Sequence, residues 1–428
     1  MENVPFFLGH INYFLFLCRV NIISCFMVAL ETAFWICVAV VFYTYLGYGM
    51  LLYGMLAVKR MLGAGEPDPV VPPDDALPEV TLMICAYNEE DIVREKMENI
   101  RQIDYPKEKF CIMWVTDGSN DGTNDLLKQY PEVTLVYSPE RRGKAAAMQH
   151  GLRVNTAEYV VFTDANTMLN TNSIREIVKQ FMRTDVGCVS GEKRVSARPT
   201  ADVSASGESV IAAQGEGLYW KYESTLKRWD SELYSAMGAA GELFAVKMSN
   251  YREAPSNALL DDFMMSMLIV KDGHRIAYTS EAYAMEYGSA NMHEESKRKR
   301  RIAAGGLQSV WWLRSLMNPF KYPLVSFLFV SHRVLRWTVT PIALAALIPL
   351  NALLVLLQAG SGYAVIGVLQ VLFYAAAFIG WLQARSGSWS KLFYIPYYFV
   401  FMNLNVFRGI RYLATHRHSG TWEKAKRG

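Results

Sequence analysis

The feature that most restricts the fold of this chain is a long run without any charged residue. The run spans Phe34–Val58 and is followed at once by Lys59 and Arg60. Because a helix rises about 1.5 Å per residue, about 20 apolar residues cross the hydrocarbon core of a bilayer. Basic residues beside a membrane helix tend to stay in the cytosol. The sequence therefore predicts a membrane-spanning helix followed by a cytosolic domain.

Two further membrane helices are predicted near the C-terminus. Val339–Leu357 and Tyr363–Leu382 are apolar, and the short turn Gln358–Gly362 separates them. The next apolar segment, Leu392–Val406, contains Pro396 and precedes a strongly basic tail. Because basic tails rarely cross to the outside, we expect this segment to be broken, re-entrant or parallel to the membrane plane.

Two other regions also have a membrane-like composition. Within residues 1–29, the apolar stretch Phe6–Val28 is interrupted by polar side chains. It is a second span, an interfacial helix or an upstream extension. Leu307–Trp337 combines tryptophans with cations such as Arg333 and Arg336. This combination predicts amphipathic helices at the level of the lipid headgroups.

Composition excludes several classes of protein. The chain has 428 residues, 52% of them hydrophobic, and a formal net charge of +3. It is too apolar to be disordered, and its charge is too balanced for a dedicated nucleic-acid binder. Its six cysteines show no CxxC spacing, which favours buried thiols in a reducing compartment. We expect a lipid bilayer and no nucleic acid among its partners.

The region from Glu79 to Arg301 has the pattern of a soluble α/β domain. Four β-rich runs alternate with helical sequence, and they are Val80–Cys85, Phe110–Val115, Val133–Tyr137 and Tyr159–Thr163. Continuous apolar strands are typical of a parallel sheet that is covered on both faces. Strands that alternate with helices form right-handed crossovers in such a sheet. Its ligands bind beyond the carboxyl ends of the strands.

Chemically informative residues follow each of these four runs. Ala86, Tyr87 and Glu89 follow the first, and Asp117 opens an Asp-Gly-Ser turn after the second. The cationic loop Arg141–Lys144 follows the third and suits phosphate binding at the start of a helix. A single Asp-Gly-Ser turn is an ordinary loop feature. Four such motifs in register predict a nucleotide site.

The fourth run ends in an Asp-x-Asn sequence. Asp164 and Asn166 are two oxygen ligands separated by one residue. Hard divalent cations prefer oxygen donors and share them with substrate phosphates. The pattern predicts a site for Mg²⁺ or Mn²⁺.

The order of these motifs resembles that of family 2 glycosyltransferases with a GT-A fold. More narrowly, it is similar to the membrane-integrated branch that includes cellulose, hyaluronan, chitin and poly-N-acetylglucosamine synthases. The resemblance implies an α/β, GT-A (Rossmann-like) cytosolic domain inserted between transmembrane and interfacial helices. We expect four regions. Residues 1–78 would form an N-terminal extension and a membrane helix, and residues 79–301 the GT-A domain. Residues 302–337 would form interfacial helices, and residues 338–428 C-terminal membrane helices with a basic tail.

The resemblance also implies how the donor binds. Three side chains after the first strand would line the nucleoside pocket, Asp117 would contact the base, and Lys144 would approach the base or phosphate. Asp164 would belong to the donor site and, with Asn166, to the metal site. The pocket-lining residues are Ala86, Tyr87 and Glu89.

On the acceptor side, Gly238–Glu242 resembles the small-residue loop of the family. Gly241 and Glu242 would contact the acceptor, although a flexible connector is an alternative interpretation of this loop. Asp262 matches the family's general base, and Asp261 beside it would contact the acceptor and raise the base's proton affinity. Alternatively, the two aspartates simply begin the helix Phe263–Val270. Both interpretations can hold together.

The last motif of the family, Gln-x-x-Arg-Trp, is only partly kept. Arg301 keeps the arginine that neutralises the leaving diphosphate, whereas Ile302 replaces the tryptophan of the acceptor platform. This replacement argues against processive polymer synthesis. The cluster Lys297–Arg301 is alternatively a basic patch on the membrane surface.

Together the motifs predict an integral protein of the bacterial inner membrane with a cytosolic catalytic domain. Its expected activity is inverting transfer from a UDP-sugar to a lipid-linked or polysaccharide acceptor, which gives a β-linked product in polysaccharide or glycolipid biosynthesis. A processive synthase-exporter is the main alternative. A nucleotidyltransferase and a catalytically inactive membrane receptor or scaffold are more distant ones.

Overall fold

A computed structural model describes residues 24–196, 207–289, 291–386 and 390–415. The strands are β1 (Val80–Ala86), β2 (Phe110–Asp117), β3 (Val133–Ser138), β4 (Tyr159–Asp164), β5 (Thr167–Leu169), β6 (Val186–Ser196), β7 (Leu243–Lys247) and β8 (Arg275–Tyr287). The helices are α1 (Ser24–Met61), α2 (Glu90–Arg101), α3 (Thr123–Leu127), α4 (Lys144–Val154), α5 (Ser173–Phe181), α6 (Gly207–Leu233), α7 (Asp261–Lys271), α8 (Met292–Trp312), α9 (Pro323–Phe329), α10 (Leu335–Trp337), α11 (Val339–Leu356), α12 (Ser361–Ser386) and α13 (Lys391–Thr415).

The strands form one eight-stranded sheet in the order β3-β2-β1-β4-β7-β6-β8-β5. The first four strands in this order are the four expected from the sequence, and they pair in parallel. β7 then joins β4 in the antiparallel direction and begins a mixed second half of the sheet. The α/β fold expected from the sequence is confirmed.

The core lies on both faces of this sheet because the side chains of β1 alternate between two buried layers. Leu82 and Ile84 contribute to the layer that also contains residues of α2 and α5. Met83 contributes to the opposite layer, which includes Tyr48 and Leu52 of α1. The α/β domain is therefore packed directly against the first membrane helix through a shared apolar layer.

Three helices are long and apolar enough to cross a membrane: α1, α11 and α12. The expected span Phe34–Val58 lies within α1, and the expected C-terminal pair matches α11 and α12. Residues 1–23, which include most of the uncertain N-terminal stretch, lie outside the described residues.

Of the three alternatives for Leu392–Val406, the broken segment is wrong, whereas a re-entrant or in-plane orientation stays a prediction. α13 continues through Pro396 as one helix. It is held against α8 by polar contacts, since the Tyr398 hydroxyl donates to Glu295 at 3.0 Å and Ser296 donates to Asn405 at 2.9 Å. These contacts stabilise the helix on its inner side despite the missing N–H of proline. Most of the basic tail beyond α13 lies outside the described part of the chain.

The expected interfacial region also differs from its prediction in two ways. α8 runs without interruption from Met292 to Trp312, so the expected domain boundary after Arg301 falls inside a helix. Arg333 and Arg336 are buried instead of lying among headgroups. Both donate to the carboxylate of Glu223 on α6, at 2.5 and 2.7 Å.

A second buried contact continues this ionic network into the first membrane helix. Asp230 of α6 accepts hydrogen bonds from Tyr48 of α1 and interacts with His332. His332 and Arg333 lie in a π-helical turn, Val330–Val334, and another such turn, Tyr43–Gly47, interrupts α1. Inserted turns of this kind often occur at functional sites. We call the charged group of Glu223, Asp230, His332, Arg333 and Arg336 the buried ionic network.

We expect Glu223→Gln to destabilise the protein strongly, by about 3 kcal/mol, because it leaves two buried guanidinium groups without their carboxylate. Unfolding of the purified protein in detergent, followed by tryptophan fluorescence, measures the change. Glu232→Gln on the same helix is the control, since Glu232 forms only an exposed ion pair with Arg60. Equal stability of the two variants would contradict the structural role of the network.

Candidate active site

A cavity of about 720 Å³ lies at the carboxyl ends of the parallel strands and extends to α13. Every site residue predicted from the sequence lines it. These residues are Ala86, Tyr87, Glu89, Asp117, Lys144, Asp164, Asn166, Gly241, Glu242, Asp261, Asp262 and Arg301. The cavity thus brings together side chains that are far apart in the sequence, while their individual roles stay predictions.

Asp117, at the end of β2, organises the neighbouring part of the cavity. Its two carboxylate oxygens accept hydrogen bonds from the backbone N–H groups of Arg142 and Gly143, at 2.8 and 2.7 Å. Asp117 therefore fixes the cationic loop in addition to any contact with a ligand. The guanidinium of Arg141 lies 3.8 Å from the ring centre of Tyr87, so these side chains cover this end of the cavity together.

The close packing of this loop requires glycine at one position. Gly118 has a φ of 69°, and a Cβ there would lie 2.7 Å from the backbone nitrogen of Arg141. A side chain at this position would push the loop away from the end of β2.

The expected metal ligands face the cavity, and Asp164 already has a cationic partner. Lys144 Nζ donates to Asp164 Oδ1 at 2.5 Å, and Asn166 directs its amide nitrogen toward Glu286 at 3.5 Å. The buried Asp261 Oδ2 has no hydrogen-bond donor among the described residues. Within that same part of the chain, no group of three acidic, histidine or cysteine side chains could hold an ion alone. Carboxylate and amide oxygens do fit a divalent ion that shares its coordination with phosphate and water.

The small-residue loop packs tightly against the first turn of α7. Gly238 has a φ of 95°, and a Cβ there would lie 2.2 Å from the ring of Phe263. A Cβ at Gly241 would lie 2.8 Å from Asp262 Oδ2. The glycines therefore allow the loop to approach the aspartate pair, and the loop is not an unattached connector.

Both interpretations of the aspartate pair agree with its position. Asp261 and Asp262 are the first two residues of α7, and both line the cavity. Burial, and next the nearby carboxylate of Asp261, raise the pKa of Asp262 to about 6. A carboxyl group with a raised pKa in a cleft is suited to receive a proton near neutral pH.

Nearby carboxylates, including the aspartate pair, also change the pKa of a neighbouring lysine. Burial would lower the pKa of Lys144, but Asp164, Asp261 and Asp262 raise it above its ordinary value. Lys144 therefore carries a positive charge at neutral pH. Glu242 accepts from Lys193 Nζ at 2.5 Å and is already engaged inside the protein.

The basic cluster on α8 is not a surface patch. Arg298 and Lys299 are buried and lie near Glu295, at 3.6 and 3.4 Å. Arg301 and Ile302 both line the cavity. The position of Arg301 therefore agrees with contact to a ligand, and Ile302 places an aliphatic side chain at the expected position of the aromatic platform.

Sequence reasoning missed a group of cavity residues on α6, in the turn before α10 and in α10 itself. They are Trp220, Tyr222, Glu223, Lys227, Arg333, Arg336 and Trp337. Charged residues spaced four apart in α6 were a weak signal, because such a spacing is usually that of a solvated helix face. Only the burial of α6 between the sheet and the membrane helices shows that these charges face the cavity.

An acidic and cationic cavity at the carboxyl edge of a parallel half-sheet lies where open α/β sheets bind their ligands. Residues 81–252 match the family described as Glycosyl transferase family 2. Residues 81–252 are therefore a family 2 glycosyltransferase domain. This match confirms the family that the motifs predict for this part of the chain.

Relatives of known name support this assignment. The chain is 29% identical over 273 residues to poly-beta-1,6-N-acetyl-D-glucosamine synthase of Staphylococcus aureus, a match that covers 61% of this chain and 63% of the relative. The match to the Staphylococcus epidermidis synthase has 26% identity over 120 residues and covers 27% of this chain and 29% of that relative. The aligned parts span less than two thirds of both relatives.

A solved structure shows the same fold over nearly the whole chain. It is a mannosyltransferase from Pyrobaculum calidifontis in complex with GDP-Man and Mn²⁺, with 22% sequence identity and a TM-score of 0.68. The alignment covers 91% of this chain and 100% of that one. The GT-A-like fold with flanking apolar helices is therefore confirmed.

If Asp262 is the general base that the motifs predict, the rate constant kcat/KM should fall below an apparent pKa near 6, because a carboxylate accepts a proton only when it is ionised. Asp261→Asn removes the like charge that raises this pKa, so the acid limb should move to lower pH. Rates of sugar transfer between pH 4.5 and 8 measure both effects. If the acid limb stays at the same pH in Asp261→Asn, the proposed effect of Asp261 on the pKa of Asp262 is contradicted. The control is Asp272→Asn, at the far end of α7.

Proposed function

We propose that this protein transfers a sugar from a nucleotide-sugar to a membrane-associated acceptor with inversion at the anomeric carbon. The observation that supports this proposal is the single cavity that contains Asp117, Lys144, Asp164, Asp262 and Arg301 and reaches α13. It offers a donor side at the sheet and an acceptor side at the membrane helices. An α-linked donor would give a β-linked product in polysaccharide or glycolipid biosynthesis.

The donor is proposed to be a UDP-sugar. Its base would lie near Tyr87, Arg141 and Asp117, and its diphosphate would meet Lys144 and Arg301. The fold neighbour holds GDP-Man, and so a panel of UDP- and GDP-linked sugars is the direct test of the base. Incorporation of radiolabel from one of these donors identifies both base and sugar.

In the proposed reaction, Asp262 takes the proton of an acceptor hydroxyl as its oxygen attacks the anomeric carbon. The bond from that carbon to the diphosphate oxygen breaks in the same displacement. Lys144 and Arg301 lie on the cavity wall, where their charges offset the charge of the leaving diphosphate. Gly241 leaves room for the Asp262 carboxylate beside the acceptor loop.

Asp164 and Asn166 are the proposed holders of a Mg²⁺ or Mn²⁺ ion. Such an ion would supply Lewis-acid charge stabilisation to the diphosphate. Lys144 would then exchange its contact with Asp164 for one with phosphate. The protein supplies too few ligands to bind the ion tightly alone, and so metal binding should strengthen when a nucleoside diphosphate is present.

The proposed location is a bacterial inner membrane, with the catalytic domain in the cytosol. Lys59 and Arg60 at the end of α1 support this orientation by the positive-inside tendency. The related synthases of Staphylococcus support a bacterial setting.

We expect Asp262→Asn to lower the transfer rate by about 10³-fold, because general base catalysis contributes about 10² to 10⁴. UDP affinity should stay within about twofold, since the base does not hold the donor in this proposal. Initial rates and calorimetric UDP binding measure the two effects. The control is Asp272→Asn, which changes an exposed aspartate paired with Arg252 at the other end of α7. Full activity in a folded Asp262→Asn protein would remove the proposed base.

A processive synthase-exporter is the second candidate, because the named relatives are polymer synthases. Two features of the cavity favour addition of one sugar instead. Ile302 lacks the aromatic face on which a growing chain would slide, and Glu242 is engaged by Lys193.

We expect product sizing to show one added sugar per acceptor. The full-length protein is incubated in lipid with labelled donor, and products are separated by gel electrophoresis and mass spectrometry. A ladder or a high polymer would instead support the synthase candidate.

A further inference from the structure

A group of three cations lines the cavity beside a carboxylate that two of them share. The cations are Lys227, Arg333 and Arg336, and the carboxylate is that of Glu223. Glu223 is shared by the two arginines, with contacts of 2.5 and 2.7 Å. It therefore has little capacity left to balance a third cation.

Lys227 is that third cation. Its side chain is only 3% exposed, and it lines the cavity. No described residue accepts a hydrogen bond from its ammonium group. Its one specific contact is with the ring of Trp220, 5.6 Å from the ring centre. A buried ammonium without a paired anion is costly, so a ligand that supplies the anion would be bound favourably.

Local electrostatics agree with this geometry. Burial, and next the neighbouring Arg333, lower the pKa of Lys227 to about 8. The carboxylates of Glu223, Glu242 and Asp262 act in the opposite direction and do not offset these effects. At neutral pH the ammonium is still mainly charged.

The three cations connect the proposed base with α13. The carboxylate of Asp262 acts electrostatically on Lys227, and the guanidinium of Arg333 lies 5.8 Å from the ring centre of Phe263, the residue after Asp262. The guanidinium of Arg336 lies 5.4 Å from the ring centre of Tyr222, whose hydroxyl donates to the carbonyl of Tyr45 at 2.9 Å. Tyr45 in turn donates to Asn403 of α13 at 3.1 Å.

The α13 side of the cavity is mainly apolar and aromatic. The α13 residues that line the cavity are Tyr394, Ile395, Tyr398, Phe399, Met402, Asn403 and Val406. The cavity thus contains a proposed proton acceptor, a group of cations and a largely apolar surface. These three features match a hydroxyl, an anion and a hydrocarbon tail in one molecule.

We propose that the acceptor carries a phosphate group that binds Lys227 while its hydroxyl meets Asp262. This inference rests on the proposed function, and it names the acceptor's chemical class. The phosphate takes no part in bond making. The transferred sugar becomes attached to the hydroxyl oxygen, whose proton goes to Asp262, and the nucleoside diphosphate leaves.

The test measures binding to the full-length protein in a neutral detergent, saturated with UDP and Mg²⁺ so that the donor's phosphate site is filled. Three probes are compared by calorimetry: lysophosphatidylglycerol, a monoacylglycerol with the same tail, and glycerol 3-phosphate. We expect lysophosphatidylglycerol to bind at least tenfold more tightly than the monoacylglycerol. If glycerol 3-phosphate binds as tightly as lysophosphatidylglycerol, the phosphate group belongs to a soluble phosphate ester. If glycerol 3-phosphate binds much more weakly, the phosphate group belongs to a lipid.

Variants assign the phosphate preference to Lys227. In Lys227→Met the preference should fall to within about twofold, whereas Lys227→Arg should retain it. Lys221→Met is the matched control, because Lys221 lies on the same helix and is exposed. It should leave the preference unchanged. If Lys227→Met does not fold, the probe comparison on the unaltered protein still decides.

Failures of the two proposals are distinguishable. A protein that binds neither UDP nor any nucleotide-sugar contradicts the proposed function. A protein that binds UDP and shows no phosphate preference, or keeps it in Lys227→Met, overturns the inference alone. A preference that is present without UDP and lost with UDP would assign Lys227 to the donor's phosphates and also overturn it.

Discussion

Parallel pairing of β1 with β2 and β4 is the constraint on which the active cavity depends. The pairing brings the carboxyl ends of these strands to one edge, where Asp117 and Asp164 end β2 and β4. Asp117 then fixes the loop before Lys144 through two backbone N–H groups. Three segments that are distant in sequence meet at one edge because β1, β2 and β4 run in the same direction.

The second half of the cavity depends on buried charge. Glu223 holds Arg333 and Arg336 between the α/β domain and the membrane helices, and Asp230 links Tyr48 and His332 in the same layer. Buried ion pairs of this kind are weak evidence for stability, because desolvation offsets much of their attraction. Here these ion pairs fix the positions of cations at the wall of the cavity. An apolar interface in the same place would bring no charge to the cavity.

The acceptor side shows how close packing and proton affinity are connected. Gly238 and Gly241 let their loop press against Phe263 and Asp262, and this packing removes water from the carboxylate. The resulting rise in the pKa of Asp262 agrees with its proposed role as a proton acceptor. Burial acts on Lys227 as well and lowers the pKa of its ammonium group. The proposed base and the proposed phosphate-binding cation are therefore both affected by the same burial.

The sequence by itself determined the α/β class, the first four strands, the three helices that are apolar enough to span a membrane, and the polar side chains that follow those strands. These features follow local rules: apolar runs, strand periodicity and polar residues directly after strands. It did not determine the continuity of α13, the burial of Arg333 and Arg336, or the role of Lys227 as a cavity residue. Those depend on which helix faces meet, and local sequence cannot distinguish a charge in water or among headgroups from one enclosed by a distant partner. Glu223 is separated from Arg333 and Arg336 by more than 100 positions in the sequence. Only the packing of α6 between the sheet and the membrane helices brings these side chains into contact.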